Sequence, residues 1–129
     1  MTLVAFTIPG APRTKKTSNR IVRAGKFTKV LPSKAHEAWF DAVFLETKTR
    51  ARRATKVDLP INHPVNVRAL FYREALTGDA TGYYQALADL LEAAGVVTND
   101  KLLVSWDGSR LAKDSASPRI EVFIEECNA

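Results

Sequence analysis

The stretch VNVRALFYREALTGDATGYYQALADLLEAAGVVTND, from Val65 to Asp100, joins a strand pattern to a helix pattern. Its first part alternates apolar and polar side chains with a period of two, which is typical of a β-strand with one buried face. From Ala80 to Ala94, apolar side chains recur every three or four residues, and Gly95 follows as a helix stop signal. The stretch therefore predicts a strand followed by an amphipathic helix that packs back on a sheet.

Strand patterns also occur towards both ends of the chain. TLVAFTI, residues 2–8, is rich in β-forming residues, and PGAP follows it as a stop signal. A basic arm, about residues 11–30, contains two short β-prone pieces, Arg20–Val22 and Phe27–Val30, which predict a hairpin. After residue 100, LLVSWDGSRLAKD and PRIEVFIEE predict two antiparallel strands.

Another helix is predicted between the basic arm and the strand at Val65. Ser33 is a suitable N-cap, and the basic run KTRARRATK closes the helix with charges that favour its C-terminal dipole. We expect both histidines of the chain to have structural roles. His36 should lie on the surface of this helix and His63 in the linker that follows it. The apolar positions expected to define its buried face are Ala35, Ala38, Trp39, Ala42, Val43 and Leu45.

The order β, β-hairpin, α, β, α, β, β predicts the α+β class: a small mixed β-sheet with two main helices packed on one face. A length of 129 residues suits one core, so we expect residues 1–129 to form a single domain. No apolar run approaches the roughly 20 residues that cross a bilayer, and we expect a cytoplasmic protein. The lone Cys127 excludes an internal disulfide framework and a cysteine-based zinc site.

Charge is distributed unevenly along the chain. Residues 1–56 contain 13 Lys and Arg against 3 acidic residues, a net charge of +10, whereas residues 57–129 contain 6 against 11, a net charge of −5. Such asymmetry indicates nucleic-acid binding, because basic side chains release the counterions that are condensed on phosphates. A solvated basic surface without a partner is the alternative.

Carboxylates are the best candidates for chemistry, because the chain has two histidines and no glycine-rich phosphate loop. Asp79 directly precedes the predicted second helix, and Asp100 follows the loop that leaves it. Each has an ordinary structural interpretation, Asp79 as an N-cap and Asp100 as a turn residue. Magnesium prefers oxygen ligands and keeps several waters, so two or three aspartates from separate elements suffice to hold it.

Three segments of the chain are IPGAPRTKK, LPSKAHEAW and the stretch from Asp79 to Asp100. Together they resemble the RusA-type Holliday junction resolvases, which are small dimeric metal-dependent endonucleases of bacteria and prophages. The resemblance spans nearly the whole chain. The family pattern in the second helix is Asp-x-Asp-Asn, then a lysine four residues after the second Asp, an aspartate four further on, a glycine and a closing Asp-Asp. This chain has Asp79, Thr81, Gly82, Gln85, Asp89, Gly95, Asn99 and Asp100 at those positions.

The resemblance implies that Asp79 and Asp100 are metal ligands and catalytic residues. It does not supply the second aspartate, replaced by Thr81, or the lysine, replaced by Gln85. Asp89 does not substitute as a ligand, since ten helical residues place it roughly 15 Å from Asp79.

Further candidates follow from the same alignment. Asp107 lies roughly 23 Å beyond Asp100 along a straight strand, so it could be an additional ligand only if the chain turned back at Gly108. The alternative is that Asp107 and Gly108 form an ordinary turn or bulge without a role in the site. Asp89 shares a helical stripe with Gln85. The side chains expected to contact DNA phosphates are Arg13, Lys15, Lys16, Arg20, Lys34, Arg110 and Lys113.

The resemblance implies a Mg²⁺-dependent endodeoxyribonuclease, with Mn²⁺ as a possible substitute, that resolves Holliday junctions or other branched DNA in recombination and repair. Asp79 and Asp100 would share one metal ion, and Gln85 would orient water or phosphate in place of the lysine. Two symmetric nicks imply a C2 homodimer. The alternative is a non-catalytic DNA-binding homologue.

Tyr83 and Tyr84 are adjacent and cannot face the same core, so one of them is expected at an interface or in a groove.

Overall fold

The protein is described by a computed structural model that covers residues 1–14, 20–24, 27–31, 34–75 and 78–127. In chain order, the elements are β1 (Thr2–Pro9), β2 (Arg20–Ala24), β3 (Phe27–Leu31), α1 (Lys34–Ala54), β4 (Val65–Arg73), α2 (Ala80–Ala93), a 3-10 helix (Asp100–Leu102), β5 (Leu103–Ser105), β6 (Arg110–Lys113) and β7 (Arg119–Glu126). Ser33, the expected N-cap of α1, lies outside the described residues.

Five strands form one mixed sheet in the order β1, β7, β4, with β5 and β6 both on the far side of β4. β7 pairs antiparallel with β1 and with β4, whereas β5 and β6 pair parallel with β4. α1 packs on β1 and contacts α2, so both helices cover the same face of the sheet. The predicted α+β fold is confirmed, and β2 and β3 form the expected antiparallel hairpin as a separate sheet.

The strands after residue 100 differ from the prediction of one antiparallel pair. LLVSWDGSRLAKD is divided by a turn at Asp107 and Gly108 into β5 and β6, and both pair with β4 instead of β7. Asn66 of β4 stabilises the turn between β5 and β6. Its side chain accepts hydrogen bonds from Ser105 Oγ at 2.7 Å and from the Asp107 amide at 2.8 Å, and it donates one to the Asp107 carbonyl at 3.1 Å. The turn interpretation of Asp107 is therefore confirmed.

The buried face of α1 also differs from the prediction. His36, expected on the surface, is 4% exposed, whereas Leu45, expected in the core, is 70% exposed. The helix instead buries a stripe of residues spaced by four, formed by Trp39, Val43, Thr47 and Ala51. The prediction counted alanines as core residues, but the stripe follows the larger Trp39 and Val43, and the alanines beside it remain at the surface.

A cluster of charges ties the loop after β6 to β7 on the open face of the sheet. Arg119 donates to Asp114 at 2.9 Å and to Glu121 at 2.8 Å, and its guanidinium lies 4.0 Å from the centroid of the Tyr72 ring. The hydrogen bond from Arg119 lowers the pKa of Asp114 below its ordinary value of 3.8. The folded protein therefore favours the ionised form of Asp114.

This shift predicts a pH-dependent contribution to stability. Since the folded pKa of Asp114 is depressed, its contribution is present above the unfolded pKa of 3.8 and is lost as the pH falls through the folded pKa. Asp114→Asn keeps an acceptor for the loop amides but removes the charge. We expect a lower melting temperature than wild type at pH 7 and a difference that shrinks below pH 3.8, measured by circular dichroism.

Asp58→Asn is the matched control, because Asp58 is exposed and forms no ion pair within the described part of the chain. A difference between wild type and Asp114→Asn that is the same at both pH values would show that the ion pair contributes nothing.

None of the helices among the described residues is both long and apolar enough to span a membrane.

Candidate functional site

Asp79 lies where β4 has ended and α2 begins. It is the N-cap of α2, and its Oδ1 accepts a hydrogen bond from the Gly82 amide at 2.8 Å. Its other oxygen, Oδ2, accepts no hydrogen bond within the described part of the chain and faces an exposed surface. The capping interpretation is therefore correct, and it leaves one carboxylate oxygen open to a ligand.

Gly78 and Arg73, to which the sequence analysis assigned no role, shape the turn before Asp79. Gly78 has a φ of +78°, and a Cβ there would lie 3.0 Å from the Tyr83 ring, so the turn requires glycine. Arg73, at the end of β4, is buried, and its Nη1 lies 3.5 Å from the Gly78 carbonyl. Both contacts set the position from which Asp79 enters the helix.

Gly82 brings the N-terminal segment close to Asp79. A Cβ at Gly82 would lie 3.0 Å from Asp79 Oδ1 and 3.3 Å from the side chain of Thr14, which is buried. The glycine thus permits both the cap and the approach of Thr14. Arg13 is exposed immediately before this contact, so the described start of the basic arm, up to Thr14, lies near the N-terminal end of α2.

A cavity of about 360 Å³ extends along one face of α2. It is lined by Thr81, Tyr84, Gln85 and Ala88 of α2 and by Asp100, Leu103 and Trp106 of the facing segment. Gln85, Asp100 and Thr81 therefore line the same cavity. Asp79 precedes Thr81 by two residues and is not among the described residues that line the cavity.

Asp100 begins the 3-10 helix that leads into β5, instead of the strand itself. Its amide donates to Glu92 Oε1 at 2.9 Å. Glu92 follows Asp79 by thirteen residues, about 20 Å along the axis of α2. β5 also pairs with the beginning of β4, whereas Asp79 follows its end. The backbones of Asp79 and Asp100 thus approach the cavity from opposite ends.

The remaining acidic candidates lie beside the cavity or apart from it. Gln85 Nε2 donates to Asp89 Oδ1 at 3.0 Å. Because a carboxylate can only accept, this contact fixes the amide orientation and leaves the Gln85 carbonyl oxygen available to a donor. Asp107 instead lines a second cavity with Asn66 and Glu125, on the other side of the turn.

The basic candidates fall into two groups. Arg13, Lys34, Arg110 and Lys113 are exposed and form no ion pair within the described part of the chain, so they are available to phosphate. Lys15 and Lys16 lie outside the described residues, and of Arg20 only the backbone, in β2, is described.

The two adjacent tyrosines separate as expected. Tyr83 is buried against Phe71, with ring centroids 5.5 Å apart, whereas Tyr84 is half-buried and lines the cavity. Tyr84 stacks on Trp106, which sequence reasoning missed because Trp106 directly precedes a turn and belongs to no periodic pattern. The sequence predicted only that one of the two tyrosines lies at an interface or in a groove, and it did not indicate that Trp106 is its partner.

Within the described ranges, no group of three or more His, Cys, Asp or Glu side chains is placed to hold a metal ion. Asp100 is the one carboxylate among the described residues that line the cavity. Comparison of the chain with protein-family models finds no matching family, and comparison with curated proteins finds no match.

The cap at Asp79 can be separated from its charge by two substitutions. Asparagine caps helices as well as aspartate does, whereas alanine removes the acceptor. We expect Asp79→Ala to lower the free energy of unfolding by about 1 kcal/mol and Asp79→Asn to leave it unchanged or higher, measured by urea denaturation in metal-free buffer. Equal losses in both variants would show that the negative charge, and not the cap, carries the stabilisation.

Proposed function

We propose that this protein is a Mg²⁺-dependent endodeoxyribonuclease of the RusA type, which resolves Holliday junctions or other branched DNA during recombination and repair in the cytoplasm. The observation that carries the proposal is the α2 cavity. Its lining includes Asp100, Gln85 and Thr81, two residues after the cap Asp79, and Thr14, at the start of the basic arm, lies near this end of α2.

The donor set suits Mg²⁺. The carboxylate of Asp100, the Thr81 hydroxyl and the Gln85 carbonyl, which line the cavity, and the carboxylate of Asp79, at the N-terminus of α2, are hard oxygen donors of the kind that Mg²⁺ prefers. Mn²⁺ shares this preference for oxygen ligands. When bound there, the ion would supply an activated water and neutralise charge on the scissile phosphate.

The chain itself supplies position and hydrogen bonds. Asp89 fixes the amide of Gln85, so its carbonyl oxygen can accept from an attacking water and orient it. Gln85 brings no positive charge to the phosphate, unlike the lysine of the family pattern. Arg13, Arg110 and Lys113 are exposed cations that hold the DNA backbone. We therefore expect slow cleavage with retained binding.

A homodimer completes the proposal, since two opposed strands of a junction must be nicked symmetrically. The C2 arrangement presents two copies of the cavity to one junction. Light scattering at micromolar concentration should give twice the chain mass, and a monomer mass would contradict the paired arrangement.

A second candidate is a non-catalytic DNA-binding protein of the same ancestry. It is favoured by the engagement of Asp79 Oδ1 in the cap and by the positions of Asp79 and Asp100, which approach the cavity from opposite ends. In this alternative the basic arm binds DNA and the carboxylates only stabilise turns.

Cleavage assays distinguish the two candidates. Wild type with Mg²⁺ or Mn²⁺ should nick a synthetic four-way junction, whereas Asp79→Asn and Asp100→Asn should abolish nicking because each removes an anionic ligand. Binding to the junction, measured in Ca²⁺ by gel shift, should persist in both variants. Binding without nicking by wild type, with either metal, would establish the non-catalytic alternative.

The basic arm gives a separate prediction. Replacing Lys15 and Lys16 by alanine should weaken binding to all DNA sequences alike and reduce the slope of log K against log salt by up to about two units. Fluorescence anisotropy between low and moderate salt measures the slope. Lys101→Ala is a control outside the arm, and an unchanged slope in the double variant would remove both lysines from the interface.

A further inference from the structure

Tyr84 and Trp106 form a parallel aromatic pair in the wall of the cavity. Their ring centroids are 4.6 Å apart, and their planes differ by 2°. On its other side Tyr84 is backed by Phe71, with centroids 5.7 Å apart and a tilt of 35°. Among the described residues, Trp106 is the last ring of this row, since it contacts no other aromatic side chain.

The row leads from the core to the wall of the cavity. Phe71 is fully buried in β4, whereas Tyr84 and Trp106 are half-buried and both line the cavity. Trp106 is also held by its neighbours, because the Asp107 amide donates to Asn66 and the Ser109 amide donates to the Trp106 carbonyl at 3.0 Å. The backbone at Trp106 is therefore tied to β4 and to the turn, and its half-buried indole stacks on Tyr84.

We propose that Trp106, supported by Tyr84, is a stacking platform for one unpaired nucleobase of the DNA strand that enters the cavity. The inference rests on the proposed function, because it names the part of the substrate that this site takes. Every base has a π-face that stacks on an aromatic side chain, so the platform accepts bases without requiring a particular sequence.

The surroundings of Trp106 favour a base over an apolar ligand. Thr81, Gln85 and Asp100 add polar groups to the cavity wall, which suit the polar edge of a base or its sugar. A volume of about 360 Å³ lies at the lower end of ligand pockets, which span roughly 300 to 1,000 Å³. A base within duplex DNA is already stacked on both faces, so only an unpaired base at a branch or a single strand can enter.

Tryptophan fluorescence tests this platform directly. Trp39, the other tryptophan, is buried in the core, so Trp106 is the indole that a ligand can reach. The probe is a single-stranded DNA octamer, compared with an abasic octamer of the same length and with an octamer duplex. We expect the single-stranded octamer to quench the fluorescence, and the abasic and duplex forms to bind without comparable quenching.

Two variants separate stacking from packing. Trp106→Leu should weaken octamer binding at least fivefold, roughly the loss of one stacked base, while abasic binding stays within about twofold. Trp106→Phe retains a ring and should restore most of the affinity. Melting curves of both variants confirm that the fold is intact, and Tyr84→Leu gives an independent reading through the same octamer if Trp106→Leu fails to fold.

Octamer binding that is equal for the normal and abasic strands, with equal quenching, would overturn the platform and leave the proposed DNA binding in place. Absence of binding to every octamer and to the junction would overturn both. Quenching that survives in Trp106→Phe would assign the signal to Trp39 and also reject the platform.

Discussion

β4 is the strand on which the rest of the structure depends. Val65, Val67, Ala69 and Phe71 are fully buried on its inner face, and the strand pairs on both sides. β7 fixes one side along eight residue pairs, and β5 and β6 share the other. The end of β4 places Asp79, and the pairing of its beginning with β5 places Asp100. Both sides of the cavity are therefore set by one strand.

The alternation in β4 and the helical period in α2 are local patterns, and for that reason the sequence predicts both elements nearly to their ends. Strand partners are not local. Asn66 illustrates the limit: in sequence it is an ordinary outward-facing polar residue, yet in the fold it is buried and bonds to Ser105, Asp107 and Glu125. These partners lie about 40 to 60 residues away, so the division of β5 from β6 has no signal in a short window.

The site shows the same division between local and distant information. The cap at Asp79 and the turn at Asp107 follow from short-range rules, and both are present. Trp106 and Arg73 acquire their roles only through contacts with Tyr84 and Gly78 that the fold creates. The burial of His36 could not be predicted either, because an amphipathic pattern rich in alanine leaves the rotation of α1 undetermined. Nothing short-range relates Asp79 to Asp100. The family resemblance and the expected strand–helix–strand connection suggested that they meet, but β4 and β5 pair in parallel, so the end of one strand and the start of the other lie at opposite edges of the sheet.

The proposed function requires Asp79 and Asp100 to bind one metal ion, although their backbones approach the cavity from opposite ends. Titration with Mn²⁺, followed by electron paramagnetic resonance, measures metal binding to the protein and needs neither DNA nor catalysis. We expect one Mn²⁺ per chain, displaced by Mg²⁺, and loss of this binding in both Asp79→Asn and Asp100→Asn. Asp107→Asn, in the separate cavity, should bind Mn²⁺ as wild type does. Retention of the ion in either Asp79→Asn or Asp100→Asn, or no bound ion in wild type, would contradict the shared site.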